Sequence, residues 1–333
     1  MIEPIKHYAV NWVDGMKISR EHFLQQENYI IDSIRDANSL PVNPFNYGLL
    51  PVSDQYSDKN IYEIHNTATN DAQLIIKKLT AVTMAGLRIE MSEHKVNIRN
   101  LTKNTASEQE EAEGQFYILA SVNPFEKIPF EEIDSEEIPP RHPFTKPNYR
   151  IELVETSILN SSYSGGNYLV LGKVAIKSGI AQIDNNFIPP CTSVQSHPKL
   201  VEYYNTYSHS MSNLRHYAFK IIQKTAHKNQ NNELANNVKT VCRTVIQHMG
   251  ENYFSFKNVV NNQPPIFMMN IFSKLGLQIY NDTQVMIPAE LEEMLNYSLE
   301  WSEVAPHTLL NQLSNQNLQI NHHNILFYIL IYE

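Results

Sequence analysis

Thirteen histidines, two cysteines and a dense acidic stretch are the side chains in this 333-residue chain with the chemistry for catalysis or metal binding. A zinc or redox site needs such ligands at short, characteristic spacings, and no HExxH, CxxC or comparable His/Glu pair occurs. His322 and His323 are adjacent and point apart, while His209 and His216 lie seven residues apart; Cys191 has no Cys or His neighbour at ligand spacing, and Cys242 is the only other cysteine. Nucleophile and nucleotide signatures of the GxSxG, GxGxxG and Walker kinds are absent. The paired acids of EEIDSEE carry the right groups for general acid-base work, but no apolar surroundings in the sequence raise a pKa there. Gly165 and Gly166 in SYSGGNY lack the Lys-Ser/Thr and following helix of a phosphate-cradling loop, so a hairpin turn is expected. No catalytic residue, metal or cofactor follows from these residues.

The elements that would position side chains are more informative. Leu200, Tyr204, Tyr207, Met211, Leu214, Ala218, Ile221 and Thr225 recur at alternating steps of four and three, which aligns them as a coiled-coil seam on one α-helix. Pro198 suits the first turn of that helix because the N–H that proline lacks has no helical partner there. A seam of Tyr, Met and Ala is a soft packing surface, expected to bury against other helices of the chain or of sister subunits. KNQNNE then turns the chain into a second helix carrying Leu234, Val238, Val241, Val245 and His248 or Met249, with Gly250 as its expected end. A third helix is expected from Pro264 and Pro265 with Ile266, Met269, Phe272, Leu275 and Ile279, and a fourth from Pro288 with Leu291, Met294, Leu295 and Trp301.

The first half has a different period. After an arm with a turn at Asp14 and Gly15, Ser19 is a plausible N-cap for a helix ending before Pro41, with Phe23, Tyr29, Ile30 and Ile34 as its apolar faces. QLIIKKLTAVT, GLRIEM, KVNIRN, QFYILASV, YRIELVE, NYLVLGKVAIK and IAQI then read as strands of an antiparallel β domain. The expected organisation is an α+β chain: an arm and short helix over 1–40, a β-sandwich over 41–195, a helical bundle over 196–305 and a C-terminal remnant over 306–333. The apolar run ILFYILIY fits a strand or a buried helical turn equally well.

Composition narrows the function classes. The net charge of −9 resides between Glu108 and Glu137, where ten acids face one lysine; the rest of the chain sums to zero, leaving no basic stripe for nucleic acid. SEQEEAEG and FEEIDSEEIPP are expected to be solvated loops. The N-terminus shows no basic segment followed by an apolar run, and no apolar run reaches the roughly 20 residues of a membrane helix. A cytoplasmic protein without direct membrane insertion is expected.

Several sequence pieces, in order, resemble the type VI secretion baseplate subunit family TssK. The stretch WVDGMKISREHFLQQENYI is similar to the N-terminal signature of the family through Trp12, Asp14, Gly15, Met16, His22, Phe23, Gln25 and Gln26. FNYGLL at 45–50, RHPFTKPNYRIEL at 141–153, LGKVAI at 171–176, FIPPCTSV at 187–194 and PPIFMMNIFSKLGLQI at 264–279 resemble further family segments, the last with Gly276 on its packing face.

The resemblance implies a β-sandwich related to the shoulder of phage receptor-binding proteins, followed by a helical bundle through which three copies associate. It implies a non-enzymatic adaptor in which the N-terminal half holds wedge subunits of the TssF and TssG type. The wedge-binding candidates are then Trp12, Met16, His22, Phe23, Gln25, Gln26 and Tyr29, and the trimer-seam candidates Leu200, Tyr204, Tyr207, Met211, Leu214, Ala218 and Ile221. The C-terminal end would meet a membrane-complex component at the inner face of the cytoplasmic membrane. Family members carry a further C-terminal domain, whereas only about thirty residues follow Trp301 and Pro306, so a divergent member with a shortened head is expected. The competing reading is a phage-tail-like or carbohydrate-binding β-sandwich protein that uses its loops for recognition.

Overall fold

A computed structural model describes residues 4–51, 61–66, 72–98, 114–156, 166–177, 180–227, 232–299 and a few positions between 305 and 311. The chain divides into two compact units, Met1–Thr192 and Ser193–Glu333. Antiparallel sheets fill the first and α-helices the second, an α+β architecture.

The first unit opens with an arm and helix α1 (Arg20–Ser39). Strands β1 (Gly48–Leu49), β2 (Tyr62–Asn66), β3 (Ala72–Ile76), β4 (Leu79–Val82), β5 (Arg88–Met91) and β6 (His94–Asn97) follow, then β7 (Gly114–Phe130), β8 (Phe144–Glu155), β9 (Tyr168–Lys177) and β10 (Ile180–Ile183). They form three sheets of order β1-β4-β5, β2-β3-β6 and β10-β9-β7-β8. The apolar residues of β3 and β4 alternate inward and outward, as expected of strands with one face in a core. QLIIKKLTAVT reads as one run in the sequence, yet it splits after Ile76 into β3 and β4, which belong to different sheets. Lys77 and Lys78 mark the break: the inward positions are Ala72, Leu74 and Ile76 before it and Leu79 and Ala81 after it, so the alternation slips by one residue at the corner.

Two long-range connections close this unit. The Asn66 side-chain amide exchanges both hydrogen bonds with the backbone of Ala181, each 3.1 Å, and so joins β2 to β10 as a surrogate peptide. FNYGLL meets FIPPCTSV across about 140 residues: the Leu49 N–H donates to Pro190 O at 2.8 Å and the Thr192 N–H to Leu49 O at 2.9 Å. Gly48 has φ +113°, and a Cβ there would stand 1.9 Å from the Pro190 carbonyl oxygen, so this crossing requires glycine.

The second unit contains α2 (Pro198–His227), α3 (Glu233–Asn258), α4 (Pro265–Gln284) and α5 (Pro288–Leu299). Each of α2, α4 and α5 starts at a proline that the sequence marks. The Asn232 side chain caps α3 by accepting the Ala235 N–H at 3.0 Å. Contrary to expectation, Gly250 does not end α3, which continues for two further turns to Asn258. Gly250 is exposed, and the loss of about 1 kcal/mol that a helical glycine brings is outweighed by the packing of Phe256 beyond it. The tail ILFYILIY, Gly165, and the SEQEEAEG loop apart from its final glycine lie outside the described residues.

Candidate partner-binding surface

The arm doubles back along α1. Asp32 Oδ2 accepts the N–H groups of Lys6 at 2.5 Å and His7 at 2.9 Å, and Gln26 Oε1 accepts the Val10 N–H at 3.3 Å. Nearer the turn, the Trp12 ring lies 6.0 Å from His22 and 6.3 Å from Phe23, centroid to centroid. Gly15, with φ +79°, turns the chain so that Ser19 can begin the helix, and His22 Nδ1 accepts the Ser19 N–H at 3.1 Å. His22 thus fastens the helix start.

Helix α1 buries the opposite set of residues from the one its sequence advertises. Asp32, Arg35 and Ser39 are removed from solvent, whereas Phe23 is 61% exposed, Ile30 48% and Ile34 55%. Burial alone would push the Asp32 carboxyl up in pKa. The Lys6 and His7 N–H groups and the Arg35 guanidinium, 2.7 Å away, outweigh that and hold it below the usual carboxylate range. The expected apolar inner face is therefore corrected: Phe23, Ile30 and Ile34 line the open side, and a satisfied ionic knot occupies the inner one. No pattern of apolar residues signals this; the only sequence trace is the i, i+3 pair Asp32 and Arg35.

The remaining wedge-binding candidates are placed as follows. Trp12 is 46% exposed, Met16 and Tyr29 are half-buried, and Gln25 is exposed with its amide 3.4 Å from Glu21. Tyr8, Val13 and Ile18 add exposed apolar surface beside them, and the sequence reading missed all three. Together these side chains make an aromatic-aliphatic platform supported from below by hydrogen bonds, with geometry suited to burial against another protein. Below the arm, a cavity of about 370 Å³ is lined by Lys6, Arg35, Val122 and Phe125 among others.

The seam on α2 divides. Leu200, Met211 and Ala218 are buried by helices of the same chain. Tyr204 stacks on Phe256 of α3 at 5.0 Å, and Tyr207 meets Phe272 of α4 at 4.5 Å. Leu214 at 43% and Ile221 at 38% stay exposed, next to Tyr217 and Phe219. The seam packs within the chain up to Met211; beyond it, exposed Leu214 and Ile221 flank the buried Ala218.

Among the described residues, no group of three or more His, Cys, Asp or Glu converges to hold a metal. Both cysteine thiols are buried, and burial raises their pKa, which disfavours the reactive thiolate. No described helix is long and apolar enough to cross a membrane.

Antiparallel sheets followed by a helical unit, with an aromatic arm laid along the first helix, define an α+β scaffold. Among solved structures this scaffold is similar to that of TssK: one TssK crystal structure matches with a TM-score of 0.53 at 13% identity, over 82% of this chain and 61% of that one. A chain of the type VI secretion system baseplate complex matches with a TM-score of 0.51 at 13% identity, over 93% of this chain and 99% of that chain. This chain spans about three-fifths of the TssK crystal chain, so the likeness is one of fold. No family model and no curated protein matches.

Proposed function

We propose that this chain is a non-enzymatic structural subunit of a type VI secretion baseplate, acting as a TssK-like adaptor. The observation that carries the reading is the TssK-like fold across nearly the whole chain. The six sequence pieces that resemble the family support it, and so does the meeting of two of them, FNYGLL and FIPPCTSV, at the Gly48 crossing.

In this reading the arm platform of Trp12, Met16, His22, Phe23, Gln25, Gln26 and Tyr29 binds wedge proteins of the TssF and TssG type. Exposed apolar side chains on α1 support that role, because they gain burial only when another surface covers them. The bundle forms a homotrimer along the exposed seam residues Leu214 and Ile221. The C-terminal end meets a component of the membrane complex, which puts the protein in the cytoplasm against the inner face of the membrane. A trimer suits an adaptor because three weak sites on one body raise the effective concentration of each next contact.

The first experiment is the absolute mass of the purified chain by light scattering at two concentrations, together with co-purification of TssF- and TssG-type proteins from the same genome. A mass of about 115 kDa, three times the 38.4 kDa chain and unchanged by dilution, is the expected result. A dilution-stable monomer that captures neither wedge protein overturns the reading and favours a lone recognition sandwich, to be examined by glycan binding.

A further inference from the structure

The hairpin of β7 and β8 outruns its sheet. β9 pairs β7 only from Gly114 to Ser121, whereas β8 stays paired with β7 as far as Phe130 and Phe144, across a register shift between Asn123 and Lys127. The two strands therefore continue as a ribbon, steadied near its root by a 2.6 Å ion pair from Lys127 to Glu27 of α1 and by contact of the His7 and Phe125 rings at 4.3 Å.

The loop at its end is organised by its own bonds. The Asp134 N–H donates to Arg141 O at 2.9 Å, Arg141 forks onto the Glu137 carboxylate, and His142 Nδ1 lies 2.7 Å from Glu131 O. Despite this order the loop shows its apolar side chains to water: Ile138 is 97% exposed, Ile133 57% and Phe144 59%. A loop of fixed shape with an aliphatic side chain standing clear at its apex has the form of a knob. Glu131, Glu132, Asp134 and Glu136 share the loop with it, while the cation of Arg141 is engaged by Glu137.

We propose that this hairpin loop is a docking knob, separate from the arm platform, that inserts Ile138 into an apolar pocket rimmed by Lys and Arg on a partner protein. The acids of the loop set the partner's charge, since like charges brought together on docking oppose it. A second copy of the hairpin would bring the same acids and is disfavoured on that ground. The inference does not depend on the baseplate reading.

The test replaces Ile138 of the full chain with a photo-crosslinking phenylalanine derivative in the cells that make it, with the same label at Ile133 as a second probe and at Glu90, exposed on β5, as control. Because Ile138 is exposed, the labelled protein should melt as the parent does; if one label perturbs folding, the other is used. Expected is a crosslink from the loop, and not from Glu90, to a distinct protein at a segment combining apolar residues with Lys or Arg. Changing Glu131, Glu132 and Glu136 together to Gln should weaken that crosslink by about fivefold or more. The proposal is overturned if the loop labels give no more product than Glu90, or if they join a second copy, a lipid or a segment without basic residues. A crosslink unaffected by the three Gln substitutions also overturns it.

Discussion

Asp32 and Arg35 form a 2.7 Å ion pair one turn apart on α1, with both side chains removed from solvent and the second carboxylate oxygen holding the backbone of Lys6 and His7. A helix-internal pair of this kind does more than join two neighbours: it fixes the arm along α1 and so sets which face of that helix stays open.

Removing one partner should be costly. Asp32→Ala leaves the Arg35 guanidinium buried without its counter-charge, and a loss of about 3 kcal/mol or more in the stability of the first unit is expected. Limited proteolysis should then cut within residues 4–18 faster than it does in the parent chain. The same bond is acid-sensitive. Because the Asp32 pKa is held low in the folded chain, its stabilisation is complete above the ordinary carboxylate pKa of about 4 and disappears as pH falls through the lowered value. In a Trp301→Phe background, Trp12 fluorescence should report arm release below about pH 4.

The open face should be nearly neutral for folding. Trp12→Ala with Phe23→Ala removes two half-exposed or exposed rings, and thermal stability should change by no more than about 1 kcal/mol. If the platform is a wedge-binding surface, the same variant loses co-purification of the wedge proteins. A large drop in melting temperature with partner capture intact would make these rings a packing feature of their own subunit.

The seam makes opposite predictions for its buried and its exposed positions. Met211→Glu places a charge where no solvent reaches, and should destabilise the helical unit by about 3 kcal/mol or more whatever the oligomeric state. Leu214→Lys with Ile221→Lys should leave the helical circular dichroism intact and lower the mass by light scattering towards that of the monomer. An unchanged mass would exclude this strip from a subunit interface.

His197 gives the second unit a pH response. Its Nδ1 accepts the Lys199 N–H at 3.3 Å at the start of α2, which requires that nitrogen to be unprotonated. Burial, and after it the charge of Lys199, pull its pKa down to about 4. The unfolded chain therefore binds a proton that the folded chain refuses, so stability is full above about pH 6.5 and declines towards pH 4, by up to about 3 kcal/mol. His197→Asn, which keeps a capping acceptor without titrating, should flatten the melting temperature between pH 7, above that window, and pH 5, inside it.

Local information in the sequence was enough for most of the elements, though not for β1 or β2. Proline positions set the starts of α2, α4 and α5, the four-three spacing marked α2 as a helix, and two-residue alternation marked most strands, because these signals act within a few residues of chain. It was less reliable at boundaries: a one-residue slip of the alternation at Lys77 and Lys78 is all that marks the corner after Ile76, and the packing of Phe256 carries α3 past Gly250. Of the arm surface, Trp12, Phe23 and Tyr29 were legible by type, whereas Tyr8, Val13 and Ile18 were not.

Tertiary structure alone decided which sides of these elements meet. α1 carries both an apolar set and the Asp32–Arg35 pair, and its sequence favours burying the former; the arm backbone, which needs an acceptor for Lys6 and His7, selects the latter. Likewise the seam is one continuous stripe by spacing, but Leu200, Met211 and Ala218 are buried while Leu214 and Ile221 stay exposed, with Phe256 of α3 and Phe272 of α4 covering Tyr204 and Tyr207. The physical reason is the range of the interactions. Backbone geometry and capping are set by near neighbours, while burial depends on surfaces brought from distant parts of the chain, as when Gly48 meets Pro190.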